Sequence, residues 1–329
     1  MATPITVDHL TKRYDTTTAL FQISFDVQPG EIMGFLGPNG AGKTTTLRIL
    51  TGMLAPTEGT VRIDGLDVSE HPREVRRRIG YLPEHVALYP ELRVREYLLY
   101  RASIKGVPGR RRAARVDAVL QQCALTDVTR QLIGRLSKGY RQRVALADCL
   151  IAEPKILILD EPTVGLDPHQ IRQTRELITT LGRTSTILLS THILPEVEMS
   201  CHRVAIIDKG RIVAVDSPAQ LRQRLQGTQI LRVELHGDPS AVLPALQQLP
   251  GVARVTMAGK TDGCASFDVQ TASGADVREA VFRLAVERQW TLRELASVRA
   301  SLEDVFIHLT THEEGPGAVT GSAPAEVGR

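Results

Sequence analysis

Cysteine is scarce in this sequence, with four residues in a chain of 329. The four are scattered, and no two of them stand in a CxxC motif or at another regular ligand spacing: Cys123, Cys149, Cys201 and Cys264. Such a pattern offers no zinc-binding or disulfide framework. It predicts reduced thiols in a cytoplasmic protein.

Long apolar runs and a strong charge imbalance are also missing. The longest apolar runs, such as ILIL at 156–159, are strand-length, whereas a membrane-spanning helix needs about 20 apolar residues. The first ten residues, MATPITVDHL, lack the basic and apolar regions of a secretory signal. A net charge of +3 is too small to indicate a nucleic-acid partner, and the arginine clusters at 76–78 and 110–112 are typical of solvated helix faces. The length indicates about two globular domains.

The first informative motif lies near the N-terminus. The apolar run IMGFL at 32–36 leads directly into GPNGAGKTTTLRIL, which predicts a strand, a glycine-rich loop and a helix. Within it, Gly37, Gly42, Lys43 and Thr44 satisfy GxxxxGK[ST], the phosphate-binding P-loop. Glycines let backbone N–H groups surround phosphate oxygens, and the helix N-terminus adds a positive dipole end. A tight turn alone would explain the glycines but not the lysine and threonine.

Two further strands end in residues that carry chemistry. The apolar run KILILDEP at 155–162 ends in Asp160 and Glu161, and burying two carboxylates at a strand end is costly unless they have a function. In a P-loop protein, we expect Asp160 to hold Mg²⁺ and Glu161 to polarise the attacking water. A third strand, STILLST at 185–191, delivers His192 to the edge where open parallel sheets bind ligands.

The ordered set of motifs resembles one family. GPNGAGKTT (37–45), LSKGYRQRV (136–144), ILILDEP (156–162), GLD (165–167) and His192 together resemble the ATPase subunit of an ATP-binding cassette (ABC) transporter. The resemblance covers residues 4 to about 220 and implies an exporter-type cassette with ATP and Mg²⁺ as cofactors.

The resemblance also implies roles for individual residues. Lys43, Glu161 and His192 are expected to be catalytic, and Thr44, Asp160 and Glu84 are expected to surround Mg²⁺. Tyr14 matches the position whose ring stacks on adenine. The phosphates are expected to lie on Gly37, Pro38, Asn39, Gly40, Ala41, Gly42, Lys43, Thr44 and Thr45. Ser137, Gly139 and Asp167 are expected to complete the nucleotide site, with Ser137 and Gly139 facing the γ-phosphate held by a second copy of the chain.

Two positions depart from the commonest family pattern. Glu84 stands where members usually carry glutamine, although some exporter-type cassettes share this YLPE variant. In the signature turn, Lys138 and Tyr140 replace glycine and glutamine of LSGGQ. Ser137 and Gly139, whose hydroxyl and amide need to approach a phosphate, remain, so we interpret the turn as an intact variant.

The predicted fold is α/β. The resemblance implies a RecA-like P-loop NTPase core at 1–222, with a small antiparallel β subdomain and an inserted α-helical subdomain at 84–150. Its region near 84–105 is expected to dock the membrane subunits, although the tyrosines there could instead pack the insert. From 223 to 312 the pattern changes to βαββαβ, which predicts an α+β ferredoxin-like domain with a DG turn at 262–263. Residues 301–310 resemble the last helix of many exporter-type cassette subunits. Residues 313–329 are expected to be a disordered tail.

These features predict an ATP-hydrolysing subunit that energises a separate membrane permease, for export of drugs, lipids or similar compounds more than for import. We expect it to act as a homodimer or with a paralogous cassette, on the inner face of the cell membrane. The alternatives are a soluble cassette ATPase acting on ribosomes or DNA, and a nucleotide-dependent regulator that does not transport. The C-terminal domain either stabilises the dimer or regulates it through a ligand.

Overall fold

The structure, a computed structural model, describes residues 3–224, 230–261, 264–272 and 275–298. The chain divides into two compact units, residues 1–228 and 229–329. The predicted DG turn at 262–263, closing helix at 301–310 and tail at 313–329 lie outside the described residues. Within the described ranges, no helix combines the length and apolar character needed to cross a membrane.

The first unit alternates strands and helices. In chain order its elements are β1 (Ile5–Tyr14), β2 (Thr17–Val27), β3 (Ile32–Leu36), α1 (Lys43–Leu50), β4 (Glu58–Ile63), β5 (Leu66–Asp67), α2 (Pro72–Arg78), β6 (Ile79–Leu82), α3 (Val94–Ile104), α4 (Gly109–Gln122), a 3₁₀ turn (Ile133–Arg135), α5 (Lys138–Leu150), β7 (Ile156–Asp160), α6 (Pro168–Gly182), β8 (Thr186–Thr191), α7 (Leu194–Ser200), β9 (Arg203–Asp208), β10 (Arg211–Asp216) and α8 (Pro218–Arg224).

Two sheets organise this unit. The smaller one is antiparallel, with the order β2-β1-β4-β5, and its apolar face packs in the same core as β3 and α1. The larger one has the order β10-β9-β3-β8-β7-β6, and only β10 runs antiparallel to its neighbour. The predicted P-loop core and small β subdomain are therefore present.

The central strands of the larger sheet position the functional residues. Every residue of β3, β7 and β8 is buried, as expected for parallel strands that are covered on both faces. The register pairs Leu36 with Thr191 and Asp160 with Ser190, so the carboxyl ends of the three strands are level. The P-loop, the acidic pair and His192 consequently meet at one edge of the sheet.

The inserted helices α3, α4 and α5 form the predicted helical subdomain, with their own apolar core. Arg101 of α3 binds the Asp148 carboxylate of α5 in a two-pronged ion pair at 3.0 and 2.9 Å. Of the predicted aromatic residues, Tyr97 is buried in this core, whereas Tyr89 and Tyr100 remain partly exposed and contact each other. The tyrosines thus divide between packing the insert and facing outward.

The second unit has the predicted ferredoxin-like order of elements: β11 (Ile230–His236), α9 (Pro239–Gln247), β12 (Val252–Thr261), β13 (Cys264–Thr271), α10 (Arg278–Glu287) and β14 (Thr291–Val298). The sheet is antiparallel with the order β12-β13-β11-β14. Apolar side chains from one face of the sheet pack against both helices, with Phe267 fully buried among them. The helix predicted at 275–288 starts three residues later and ends one residue earlier than predicted.

The second unit has its own core, so a cavity made there should lower the stability of that unit. We expect Phe267→Ala to destabilise it by about 3–5 kcal/mol, because a fully buried aromatic ring is lost. Trp290, the one tryptophan of the chain, packs against this core, so its fluorescence during urea unfolding reports the change.

Phe282→Ala is the matched control for this measurement. It makes the same truncation on α10 at a side chain that is 54% exposed, and it should shift the midpoint little. Equal shifts for the two variants would contradict this assignment of the core.

Candidate nucleotide-binding site

The loop between β3 and α1 has the backbone of a phosphate cradle. Gly40 and Gly42 have φ angles of 82° and 108°, in the left-handed region that favours glycine. A Cβ on Gly42 would also lie 2.6 Å from the Leu20 side chain, so another residue at 42 would collide with β2. The α1 helix begins directly after this glycine, with no side chain capping its N-terminal amides. These amides and the helix dipole can therefore bind an anion.

Lys43 is buried and folds back over the loop. Its ammonium donates hydrogen bonds to the carbonyl oxygens of Gly37 at 2.7 Å and Pro38 at 3.2 Å. It also lies 3.4 Å from the Glu161 carboxylate, and both side chains are only 7% exposed. A buried charge of each sign is thus held at the rim of the cradle, where each compensates the other.

Glu161 lies at the end of β7 and faces two partners. One carboxylate oxygen contacts Lys43, and the other lies 2.9 Å from Nδ1 of His192. The backbone of Glu161 has a φ of 48°, which costs a residue with a side chain about 1–3 kcal/mol. Such strain persists where the surroundings enforce it, as its amide does here by donating to the carbonyl of Ser190 at 3.0 Å. The geometry presents a carboxylate, oriented by an imidazole, towards the cradle.

Asp160 directly precedes Glu161 at the end of β7, and it is 1% exposed. Its Oδ1 atom has no hydrogen-bond partner among the described residues. Burial raises the pKa of Asp160, and the negative charges of Glu161 and Glu84 act in the same direction. An unpartnered carboxylate oxygen in this position is the kind of donor that a divalent cation prefers.

A cavity of about 430 Å³ opens over the cradle. It brings together most of the predicted residues, since its lining consists of Ala19, Pro38, Asn39, Gly40, Gly42, Lys43, Thr44, Thr45, Glu84, Glu161, Val164 and His192. Gly37 and Ala41 belong to the same loop, and Ala41 is buried. The arrangement can hold a polyphosphate and place a carboxylate beside its outermost group.

Two lining residues, Ala19 and Val164, were missed by the sequence analysis. Val164 stands between the acidic pair and GLD, so its place in that run of motifs was the available signal. Ala19 lies on β2, and only the packing of β2 against the loop brings it to the cavity. No motif marks it.

Seven predicted residues are absent from this lining in the single chain: Gly37, Ala41 and Asp160, which are described above, and Tyr14, Ser137, Gly139 and Asp167. Tyr14 is 43% exposed at the end of β1, with the Lys12 ammonium 5.1 Å from its ring centre. Ser137 caps α5 by accepting a hydrogen bond from the Tyr140 amide at 3.3 Å, and Asp167 caps α6 in the same way at 2.9 Å. Gly139 is buried beside α6. The adenine-stacking and signature-turn roles remain predictions.

Gly139 joins the signature turn to α6. A Cβ on Gly139 would lie 2.5 Å from the end of the Gln170 side chain, so a larger residue at 139 would displace that side chain. Gln170 is also the residue whose amide binds the Asp167 cap. The LSKGY and GLD turns of one chain are therefore packed together at neighbouring helix N-termini.

Comparison with known proteins gives matches in both units. Residues 20–164 match the family model described as ABC transporter. Residues 217–310 match the model described as ATP-binding protein DrrA1-3-like, C-terminal domain. The first match contains the P-loop and the acidic pair, and the second contains the ferredoxin-like unit.

Whole-length relatives and a solved structure agree with these matches. The Nod factor export ATP-binding protein I of Paraburkholderia xenovorans is 38% identical, with 94% of this chain and 97% of the relative covered. The daunorubicin resistance ATP-binding protein DrrA3 of Streptomyces coeruleorubidus is 35% identical, with 94% and 96% covered. The dimeric structure of a bacterial ABC transporter cassette superposes with a TM-score of 0.60 at 26% identity, covering 65% of this chain and 98% of that one. This chain therefore belongs to the family of ATP-binding subunits of ABC transporters.

Proposed function

We propose that this chain binds and hydrolyses ATP to drive a separate membrane permease that exports drugs, lipids or similar compounds. The observation that carries the catalytic part is the Glu161 carboxylate, held between Lys43 and His192 at the rim of the cradle. The names of the relatives, which concern export and drug resistance, support the direction and the kind of cargo.

In this proposal the side chains of the cavity divide the reaction among them. The loop amides and Lys43 bind the β- and γ-phosphates, so Lys43 exchanges its carbonyl partners for phosphate oxygens. Glu161 accepts the proton of the water that attacks the γ-phosphorus, and the products are ADP and phosphate. His192 holds the Glu161 carboxylate in position.

The residues present fit a magnesium ion. The unpartnered Oδ1 of Asp160 and the cavity-lining Thr44 and Glu84 are oxygen donors of the kind that Mg²⁺ binds. When bound, the ion would neutralise charge on the phosphates. Glu84 in place of the usual glutamine adds a negative charge to this group.

We further propose that two chains complete each site. Ser137 and Gly139 of one chain would contact the γ-phosphate held by Lys43 of the other. The partner is a second copy or a paralogous cassette. The dimeric structure of a related cassette supports this arrangement. In the single chain these residues do not line the cavity, although they lie at a helix N-terminus suited to an anion.

The permease contact is proposed on the helical subdomain. Tyr89, Tyr100 and Ile104 there are 40%, 46% and 57% exposed, which is a large apolar surface for one short segment. Docking there would place the chain on the cytoplasmic face of the membrane. The ferredoxin-like unit is proposed to stabilise the dimer.

Replacing the proposed general base tests the catalytic assignment. We expect Glu161→Gln to lower MgATP turnover by the purified chain by about 100-fold or more, because the amide cannot accept the proton of water. ATP binding, measured with a fluorescent analogue, should persist. Glu176→Gln, on the exposed face of α6, is the matched control and should turn over at the wild-type rate. Equal rates for wild type and Glu161→Gln would disprove the role.

Replacing the serine of the signature turn tests the shared site. Ser137→Arg should leave ATP binding to the P-loop within about twofold of wild type, but turnover should be lost because a bulky cation occupies the phosphate-facing position. Ser69→Arg places the same side chain on another exposed serine and should have no effect. Normal turnover by Ser137→Arg would show that this turn only begins α5 and does not contact the γ-phosphate.

Replacing the buried aspartate tests the metal assignment. Asp160→Asn should raise the Mg²⁺ concentration for half-maximal turnover by about tenfold or more, because a charged ligand is lost. Asp117→Asn, which weakens an exposed ion pair with Arg95, is the control. An unchanged Mg²⁺ requirement in Asp160→Asn would contradict the assignment.

A further inference from the structure

One buried carboxylate near the site has no part in the reaction proposed above. Glu196 lies in the first turn of α7, four residues after His192, and is 4% exposed. Among the described residues, no cation lies within ion-pair distance of it. Burial raises its pKa, and hydrogen bonds from two threonines oppose that rise. A carboxylate in such surroundings is costly to keep, which calls for a specific reason.

The two hydrogen-bond partners of Glu196 come from two different loops. Its Oε1 accepts a hydrogen bond from the hydroxyl of Thr163, and its Oε2 accepts one from the hydroxyl of Thr191 at 3.0 Å. Thr163 follows Glu161 by two residues, and Thr191 directly precedes His192. Both threonines are buried, so water does not compete for these bonds. One side chain thereby ties together the loops that carry Glu161 and His192.

Each tie continues into the backbone of its loop. The Thr191 hydroxyl also accepts a hydrogen bond from the Ile193 amide at 3.0 Å, which fixes the backbone on both sides of His192. On the other loop, the carbonyl of Thr163 accepts a bond from the Leu166 amide at 3.1 Å. Glu161 itself has the left-handed φ of 48°, a conformation that its surroundings must enforce. The threonine pair on Glu196 supplies such a constraint within two residues.

We propose that Glu196 is a positioning residue of the ATPase, which holds the Glu161 loop and the His192 loop together through Thr163 and Thr191. It thereby sets the 2.9 Å approach of the His192 ring to the Glu161 carboxylate. The inference rests on the proposed function for the catalytic roles of those two residues. Glu196 does not touch the nucleotide cavity, since it is absent from its lining.

Kinetics of the full chain give the first part of the test. Glu196→Ala should lower kcat by about 10- to 100-fold, because a misplacement of about 1 Å has an effect of that size. ATP affinity should stay within about twofold, since the cradle is not involved. Glu196→Gln should recover much of kcat: its carbonyl oxygen can accept from one threonine, and its amide can donate to the other hydroxyl. Glu176→Ala, the same truncation on the exposed face of α6, should match wild type.

The second part reads the His192 ring without any turnover. The ¹⁵N signals of the His192 imidazole, assigned with a His192→Gln variant, should move in Glu196→Ala, whereas those of His236 in the second unit should not. If wild type fails to hydrolyse ATP, the proposed function is wrong, yet a movement of the ring signals would still support the positioning role. Unchanged ring signals in Glu196→Ala would overturn it, whatever the turnover.

Two milder variants cover a failure of Glu196→Ala to fold. Thr163→Val and Thr191→Val each remove one hydroxyl at nearly constant volume. Each should lower kcat and move the His192 signals, and the double variant should lose less than the two separate losses combined, because loss of either hydroxyl breaks the same connection. If both valine variants keep the wild-type kcat and ring signals, Glu196 has no positioning role. The same holds if any loss of kcat is explained entirely by a smaller fraction of folded protein.

Discussion

Lys43 and Glu161 form a buried ion pair, with the ammonium and carboxylate 3.4 Å apart and both side chains 7% exposed. Removing either partner would leave an uncompensated charge on a largely buried side chain, so the pair holds the P-loop against the end of β7. The other groups depend on this arrangement: His192 binds the second oxygen of Glu161, and Asp160 lies behind it. The pair also keeps an ammonium ready for phosphate and a carboxylate ready for water.

The sheet explains why these groups can meet at all. Lys43, Glu161 and His192 are separated by more than a hundred residues in places, but each follows a parallel strand whose carboxyl end lies at the same level. Ligands bind at that edge of open α/β sheets, where helix N-termini also converge. The strain at Glu161 and the threonine bonds of Glu196 belong to the same edge. The strands place Glu161 and His192 at this edge, and these local interactions then determine how the two side chains are oriented.

Local pattern predicted much of this molecule. The P-loop, the acidic pair and the ferredoxin-like order of the second unit follow from motifs or periodicity that act over a few residues, and the helical insert was implied by the family resemblance. Ala19 and the tie through Glu196 could not be predicted in this way, because both depend on tertiary contacts between distant segments. The sequence also could not show which tyrosines near 84–105 are buried and which are exposed. Only the packing shows that Tyr97 is buried and Tyr100 is not. Propensity and spacing carry no information about such pairings.

We propose above that the ATP site is completed only when two chains meet. It is tested most directly by the molar mass of the Glu161→Gln variant, measured by light scattering with and without ATP. One chain has a mass of 36.1 kDa. We expect a shift from about one chain to about twice that mass when ATP is added, and no shift with ADP, because the γ-phosphate is what the partner's signature turn would contact. A mass of one chain at saturating ATP would contradict it.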